Sequence, residues 1–148
     1  MASRKQERGV TLIELMVVVV IISILASIAV PSYRSYLLRT HRTGATAALL
    51  RIQAAQEKFF LANNRYSTSI DGLPKDGGLG IPKTTDNGAF YEISLEPSTD
   101  TTYTVHAKPG STSGQKSDKK CVEFTIDQNG KRAATNTGGT DNTVECWR

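Results

Sequence analysis

The residue types able to do covalent or metal chemistry are few and scattered along this chain. It has two histidines and two cysteines. His41 lies about 80 residues before Cys121, and His106 sits inside an alternating apolar–polar run. Neither spacing makes a nucleophile–base pair or a ligand set, and Cys121 and Cys146 are not in a C-x-x-C. Asp127-Gln128-Asn129-Gly130 echoes the opening of a calcium loop, but the further ligands and the closing Glu are missing, so it reads as a tight turn with no metal. There is no G-x-S-x-G, no H-E-x-x-H and no Gly-rich nucleotide loop. The sequence therefore argues against an enzyme and implies no cofactor. The one acid in an unusual setting is Glu14, inside an apolar run.

That run decides what the rest must be. Val10 to Val30 carries one formal charge over 21 residues. At about 1.5 Å per residue it spans ~31 Å, the thickness of a hydrocarbon core. Val, Ile, Leu and Ala dominate; the hydroxyls of Ser23 and Ser27 can bond to the preceding helical turn. Val17 to Ile22 is β-branched throughout, a mediocre soluble helix, but in lipid the backbone has to satisfy itself and helix is nearly forced. Arg4, Lys5 and Arg8 precede the run against the single acid Glu7. The positive-inside rule keeps that end cytoplasmic and exports the chain beyond Val30. A cleaved secretory signal and a plain single-pass anchor are the ordinary alternatives; the near match to a signal cleavage site is Ala26-Ser27-Ile28-Ala29. Glu14 weighs against both, because a carboxylate deep in a bilayer costs about 2.5–3.5 kcal/mol. Cleavage between Gly9 and Val10 would create an ammonium four residues before Glu14, on the same helix face. The charge could pair there or with the N-terminus of a neighbouring subunit.

Helical patterning continues past Pro31. Ala45, Ala48, Leu49, Ile52, Ala55, Phe59 and Phe60 recur at three- and four-residue steps, and the opposite face is assigned Arg42, Arg51, Gln53 and Lys58. Asn63-Asn64 is a stop signal, so one helix is expected from about Val10 to Ala62. Residues 67–88 are rich in Gly, Pro, Ser and Thr, with turns at Gly77-Gly78 and Asn87-Gly88. Three alternating runs come next: Tyr91, Ile93, Leu95; Tyr103, Val105, Ala107; and Val122, Phe124, Ile126. After the Asp127–Gly130 turn the chain returns along residues 131–135. Pro109 to Lys120 reads as a polar loop. The expected fold is α+β: a long N-terminal helix, apolar in its first half and amphipathic in its second, packed on a small antiparallel sheet of three or four strands.

The chain has 148 residues and a net charge of +4, half of it from the first nine residues. The remaining balance is only mildly basic and does not by itself indicate nucleic acid. Lys116, Lys119, Lys120, Lys131 and Arg132 would form a positive patch, as DNA phosphates require, if their loop and hairpin are adjacent. A solvated rim beside Asp118, Glu123 and Asp127 is the ordinary alternative. In an exported, oxidising compartment Cys121 and Cys146 are expected to form a disulfide worth about 3 kcal/mol; two free buried thiols are the alternative. Trp147 is expected to pack beside that link.

Gly9-Val10-Thr11-Leu12-Ile13-Glu14-Leu15 resembles the prepilin processing site of the type IV pilin superfamily. Val10 stands where that family most often has Phe, and Ser23 where many members have Gly. Gln56 to Tyr66 is similar to the helix exit of pilins and pseudopilins. The order of a Tyr-x-Val strand, Cys121, Asp-Gln-Asn-Gly and Cys146-Trp147 resembles minor pilins of the PilE branch, whose relative ComP is a DNA-uptake receptor. The resemblance implies the pilin fold. It divides the chain into a leader (1–9), a transmembrane and filament-core half-helix (10–30), an amphipathic half-helix (31–62) and a globular domain (63–148). It further implies cleavage after Gly9 and N-methylation of Val10 by a prepilin peptidase, a role in assembly for Glu14, and a helix kink at Pro31. The implied partners are other pilin subunits, the inner membrane and the pilus assembly machinery, with DNA as a candidate ligand. The implied location is the inner membrane, with the C-terminal domain periplasmic, and then an extracellular filament. The alternative within the superfamily is a type II secretion pseudopilin.

Overall fold

The computed structural model describes residues 9–85, 90–96 and 99–148. A 52-residue helix, α1 (Leu12–Asn63), is followed by β1 (Tyr91–Leu95), β2 (Thr104–Pro109), β3 (Glu123–Asp127), β4 (Arg132–Thr135) and one helical turn, α2 (Thr143–Cys146). The chain divides into two compact units at Leu37/Leu38.

In the first unit α1 opens on a threonine N-cap. Thr11 precedes the first helical residue, and its Oγ1 accepts a hydrogen bond from the Glu14 N–H at 3.3 Å. Glu14 lies in the first turn. The hydroxyls of Ser23 and Ser27 donate to Val19 O and Ile24 O, both at 2.7 Å. Pro31 lies within the helix; it has no N–H to offer the carbonyl of Ser27.

The second unit is built from the amphipathic half of α1 and an antiparallel sheet in the order β1-β2-β3-β4. Ala45, Leu49 and Ile52 are fully buried and share one core with Tyr91, Ile93, Val105, Ala107, Phe124, Ile126 and Ala134. β1, β2 and β3 alternate inward apolar and outward polar residues, so register fixes which face meets the helix. Ile93 lies opposite Ala107, Ala107 opposite Phe124, and Phe124 opposite Ala134. Tyr91 and Trp147 both present edge contacts to the Phe124 ring.

Helix α1 ends at the asparagine pair. Asn64 takes the left-handed conformation (φ 53°) and returns its N–H to Phe60 O at 2.8 Å. The exit is then held by Gln56, a fully buried amide on the apolar stripe. Its Nε2 donates to Ser67 O at 2.9 Å, and its Oε1 accepts from Ser67 N at 2.8 Å. In the next segment Gly78 passes so close to Gly72 that a Cβ would sit 2.1 Å from Gly72 O, which only glycine permits. The Asn87-Gly88 turn lies outside the described residues. The Asp127–Gly130 turn forms as expected: Gly130 has φ 73°, and Asp127 Oδ1 accepts from the N–H of Asn129 and Lys131, both at 2.9 Å.

Three features differ from the sequence reading. Arg42 does not lie on the exposed face of α1. The 109–120 segment contains a 3-10 turn (Gly114–Ser117) and buries Gln115 and Asp118. The C-terminal tail forms α2. A disulfide joins Cys121 to Cys146 across 25 residues, with Cα atoms 5.8 Å apart. Replacing both cysteines by serine should lower unfolding free energy by about 3 kcal/mol in chemical denaturation, and reductant should then have no further effect on the variant. Unchanged stability would show that the link constrains little.

Candidate functional site

Two features of the molecule stand apart from ordinary packing. The first is the apolar half of α1. From Val10 to Val30 its large side chains range from 49% exposed at Val18 to 78% at Leu12. Glu14 is the single charge among them, exposed near the helix start, with Gly9 and Val10 just before the first turn. The segment has the length and hydropathy of a membrane span.

The second feature is a buried polar hub in the sheet-bearing unit. Arg42 grips Asp118 through two parallel contacts, Nε to Oδ2 at 2.6 Å and Nη2 to Oδ1 at 2.7 Å. Asp118 also accepts from the N–H of Lys120 and Cys121 and from Gln115 Nε2. Gln115 in turn donates to Tyr91 Oη at 2.9 Å, and its Oε1 lies 3.0 Å from His41 Nδ1. The His41 ring stacks on Phe90, with centroids 3.6 Å apart. The Asp118 hydrogen bonds raise the Arg42 pKa above its ordinary value, so the guanidinium stays charged. Burial, with Asp118 nearby, raises the Tyr91 phenol and keeps it neutral. The hub clamps the 110–121 segment, and with it Cys121, onto α1.

Sequence periodicity alone could have found Arg42. Positions 42, 45, 49, 52 and 56 form one stripe at helical spacing, and a polar residue on such a stripe must be paired when buried. Gln56 carries the same signal. Gln115 and Asp118 carry none, because a polar loop has no periodicity to mark its buried members.

The basic residues are not brought together. Lys116 is exposed in the 3-10 turn, and Lys119 and Lys120 precede Cys121. Lys120 Nζ pairs with Glu145 at 2.8 Å. Lys131 and Arg132 lie at the far end of the β3–β4 hairpin, where Ile126 faces Arg132 and Glu123 faces Thr135. The two groups are thus separated by roughly 13 Å of strand. Arg132 lies over the Trp147 ring, 5.2 Å from its centroid, and the indole N–H donates to Ala133 O. Trp147 is therefore closed on one face by Arg132 and at its side by Phe124.

The outward face of the sheet is acidic. Glu92, Glu123 and Asp127 alternate with the core residues, and Glu96 approaches His106 from beyond β1. His106 Nδ1 meets Glu123 at 2.6 Å, and Lys108 Nζ lies 3.2 Å from the same oxygen. Burial opposes ionisation of Glu123, but these two hydrogen bonds outweigh it and hold its pKa below the ordinary value.

Residues 31–125 match the family described as type IV minor pilin ComP, DNA uptake sequence receptor. Residues 4–30 match the prokaryotic N-terminal methylation motif. The chain belongs to the type IV minor pilin family. It is similar to a fimbrial protein of Pseudomonas aeruginosa, 36% identical over 112 residues that cover 74% of this chain and 73% of that one. It is also similar to type II secretion system core protein G of Pectobacterium carotovorum subsp. carotovorum, 37% identical over 71 residues, covering 48% of this chain and 46% of that one. Among solved structures the fold is like that of the non-core minor pilin PilV of Neisseria meningitidis. That likeness has a TM-score of 0.53 at 17% identity and covers 72% of this chain and 94% of that one.

Arg42→Met should strand Asp118 in the core and lower the unfolding free energy by about 3 kcal/mol or more. Chemical denaturation reads this directly; a loss below about 0.5 kcal/mol would mean the pair behaves as an exposed one.

Proposed function

We propose that this chain is a minor pilin that waits in the inner membrane and then enters a surface filament with other pilin subunits. The observation that carries the reading is the exposed apolar half of α1 with its single carboxylate. A prepilin peptidase removes residues 1–9 after Gly9 and methylates Val10; the match to the methylation motif supports this step. The basic leader holds the N-terminus in the cytoplasm, and the sheet-bearing unit lies in the periplasm. The assembly machinery then moves the helix from lipid to the filament core, where helices of neighbouring subunits replace the acyl chains. Glu14 pairs there with the ammonium of a neighbouring Val10, which offsets the cost of a charge in an apolar core. Pro31 marks the junction between the core half and the amphipathic half of α1.

A second reading concerns the exported unit: it binds DNA. The description of the matched family favours it, as do the exposed bases of the 110–121 segment, Lys116, Lys119 and Lys120. The longer match to the fimbrial protein favours a pilus over a secretion pseudopilus as the host assembly.

Glu14→Ala should leave export and leader cleavage intact and remove the subunit from sheared filaments, as read by immunoblot of membrane and filament fractions. Normal incorporation of that variant would sink the assembly role of Glu14.

A further inference from the structure

We infer that a groove between α1 and the C-terminal segment is a contact for the phosphate backbone of duplex DNA, an inference that rests on the DNA-binding reading above. The groove has a volume of about 540 Å³ and is lined by Arg39, Arg42 and Thr43 on one side and Asn142, Glu145 and Arg148 on the other, among other residues.

Its charge is the first argument. Three guanidinium groups line it beside one side-chain carboxylate, Glu145, which is already paired with Lys120. Arg42 spends Nε and Nη2 on Asp118. Arg39 and Arg148 are exposed, and neither side chain makes an ion pair or hydrogen bond among the described residues. Planar guanidinium forks match phosphate oxygens two at a time, which makes arginine the usual residue for this contact.

Position is the second argument. The outward sheet face, with Glu92, Glu96, Glu123 and Asp127, repels a polyanion. The groove lies on a different part of the unit, beside the segment that carries Lys119 and Lys120: Asn142 Nδ2 donates to Lys120 O at 3.2 Å. A duplex steered away from the sheet is therefore met by the loop lysines and the groove arginines together.

The third argument sets what the groove recognises. No aromatic ring lines it, so no base can stack there. Phosphate contacts position a duplex and supply affinity without reading sequence. Cys146 belongs to the groove wall and is held by the disulfide to Cys121.

The test uses the full chain in detergent micelles and two 30-base-pair duplexes of unrelated sequence, with binding followed by fluorescence anisotropy over a salt series. The wild-type chain should bind both, with log affinity falling linearly in log salt. Arg39→Gln/Arg148→Gln should weaken both duplexes equally and reduce the slope by about 1.8, the loss of two phosphate contacts. Arg65→Gln, an exposed arginine outside the groove, should leave affinity and slope unchanged. Wild-type binding with an unaltered slope in the double variant would overturn the groove and leave the DNA-binding reading standing. An equal effect from Arg65→Gln would also overturn it, since charge alone would then explain the loss. Failure of the wild-type chain to bind at low salt would overturn both.

Discussion

Between Val10 and Val30 the chain presents 15 large apolar side chains to its surroundings. Burying each is worth roughly 1.5–3 kcal/mol, so the segment as a whole represents some tens of kcal/mol that only lipid or other apolar helices can recover. Against that sum the cost of one carboxylate, about 2.5–3.5 kcal/mol at the centre of a bilayer and less near its edge, does not expel the helix. It does make one environment better than another. An apolar core that supplies an ammonium opposite Glu14 is preferred over one that does not. A transfer from bilayer to filament needs only that difference, because the apolar term is nearly the same on both sides. Capping by Thr11 keeps Glu14 in the first turn, so the charge is presented at the helix end and not at its middle.

The sheet-bearing unit is compact by itself, and its buried polar groups show what holds it. Gln56 bonds to both backbone groups of Ser67 and fixes the path out of α1. Arg42, Asp118 and Gln115 tie the 110–121 segment to the same helix from the other direction. The disulfide then secures the tail to that segment. Both edges of the sheet are covered. Lys83 and Thr85 hydrogen-bond along β1, and Ala134 of β4 exchanges bonds with Asn142 and Thr143. Open edges pair indiscriminately with other strands, and covering them blocks that pairing.

Much of this architecture was legible in the sequence because burial leaves a period. Phe124 and Ile126 alternate with Glu123 and Thr125, and the strand lies where that alternation places it. Leu49 and Ile52 sit on the helical stripe and fill the core. Asn64 stops the helix because asparagine tolerates the left-handed conformation. The misses are the places where burial is polar. Charge alone assigns Arg42 to solvent, although its position on the stripe points inward. Gln115 and Asp118 sit in a stretch without periodicity, and their partners come from α1 and β1, more than 20 residues away. Sequence proximity to one strand likewise hides which end of a hairpin a residue occupies. Lys119 and Lys131 flank the same strand and lie at its opposite ends.

The central claim is that the apolar half of α1 is retained and enters the filament, and intact-mass and N-terminal peptide mass spectrometry of sheared surface filaments tests it most directly. The account predicts a subunit that begins at N-methylated Val10 and keeps every residue through Val30. A filament-associated chain beginning at Pro31 or later, or one still carrying Met1 to Gly9, would contradict it.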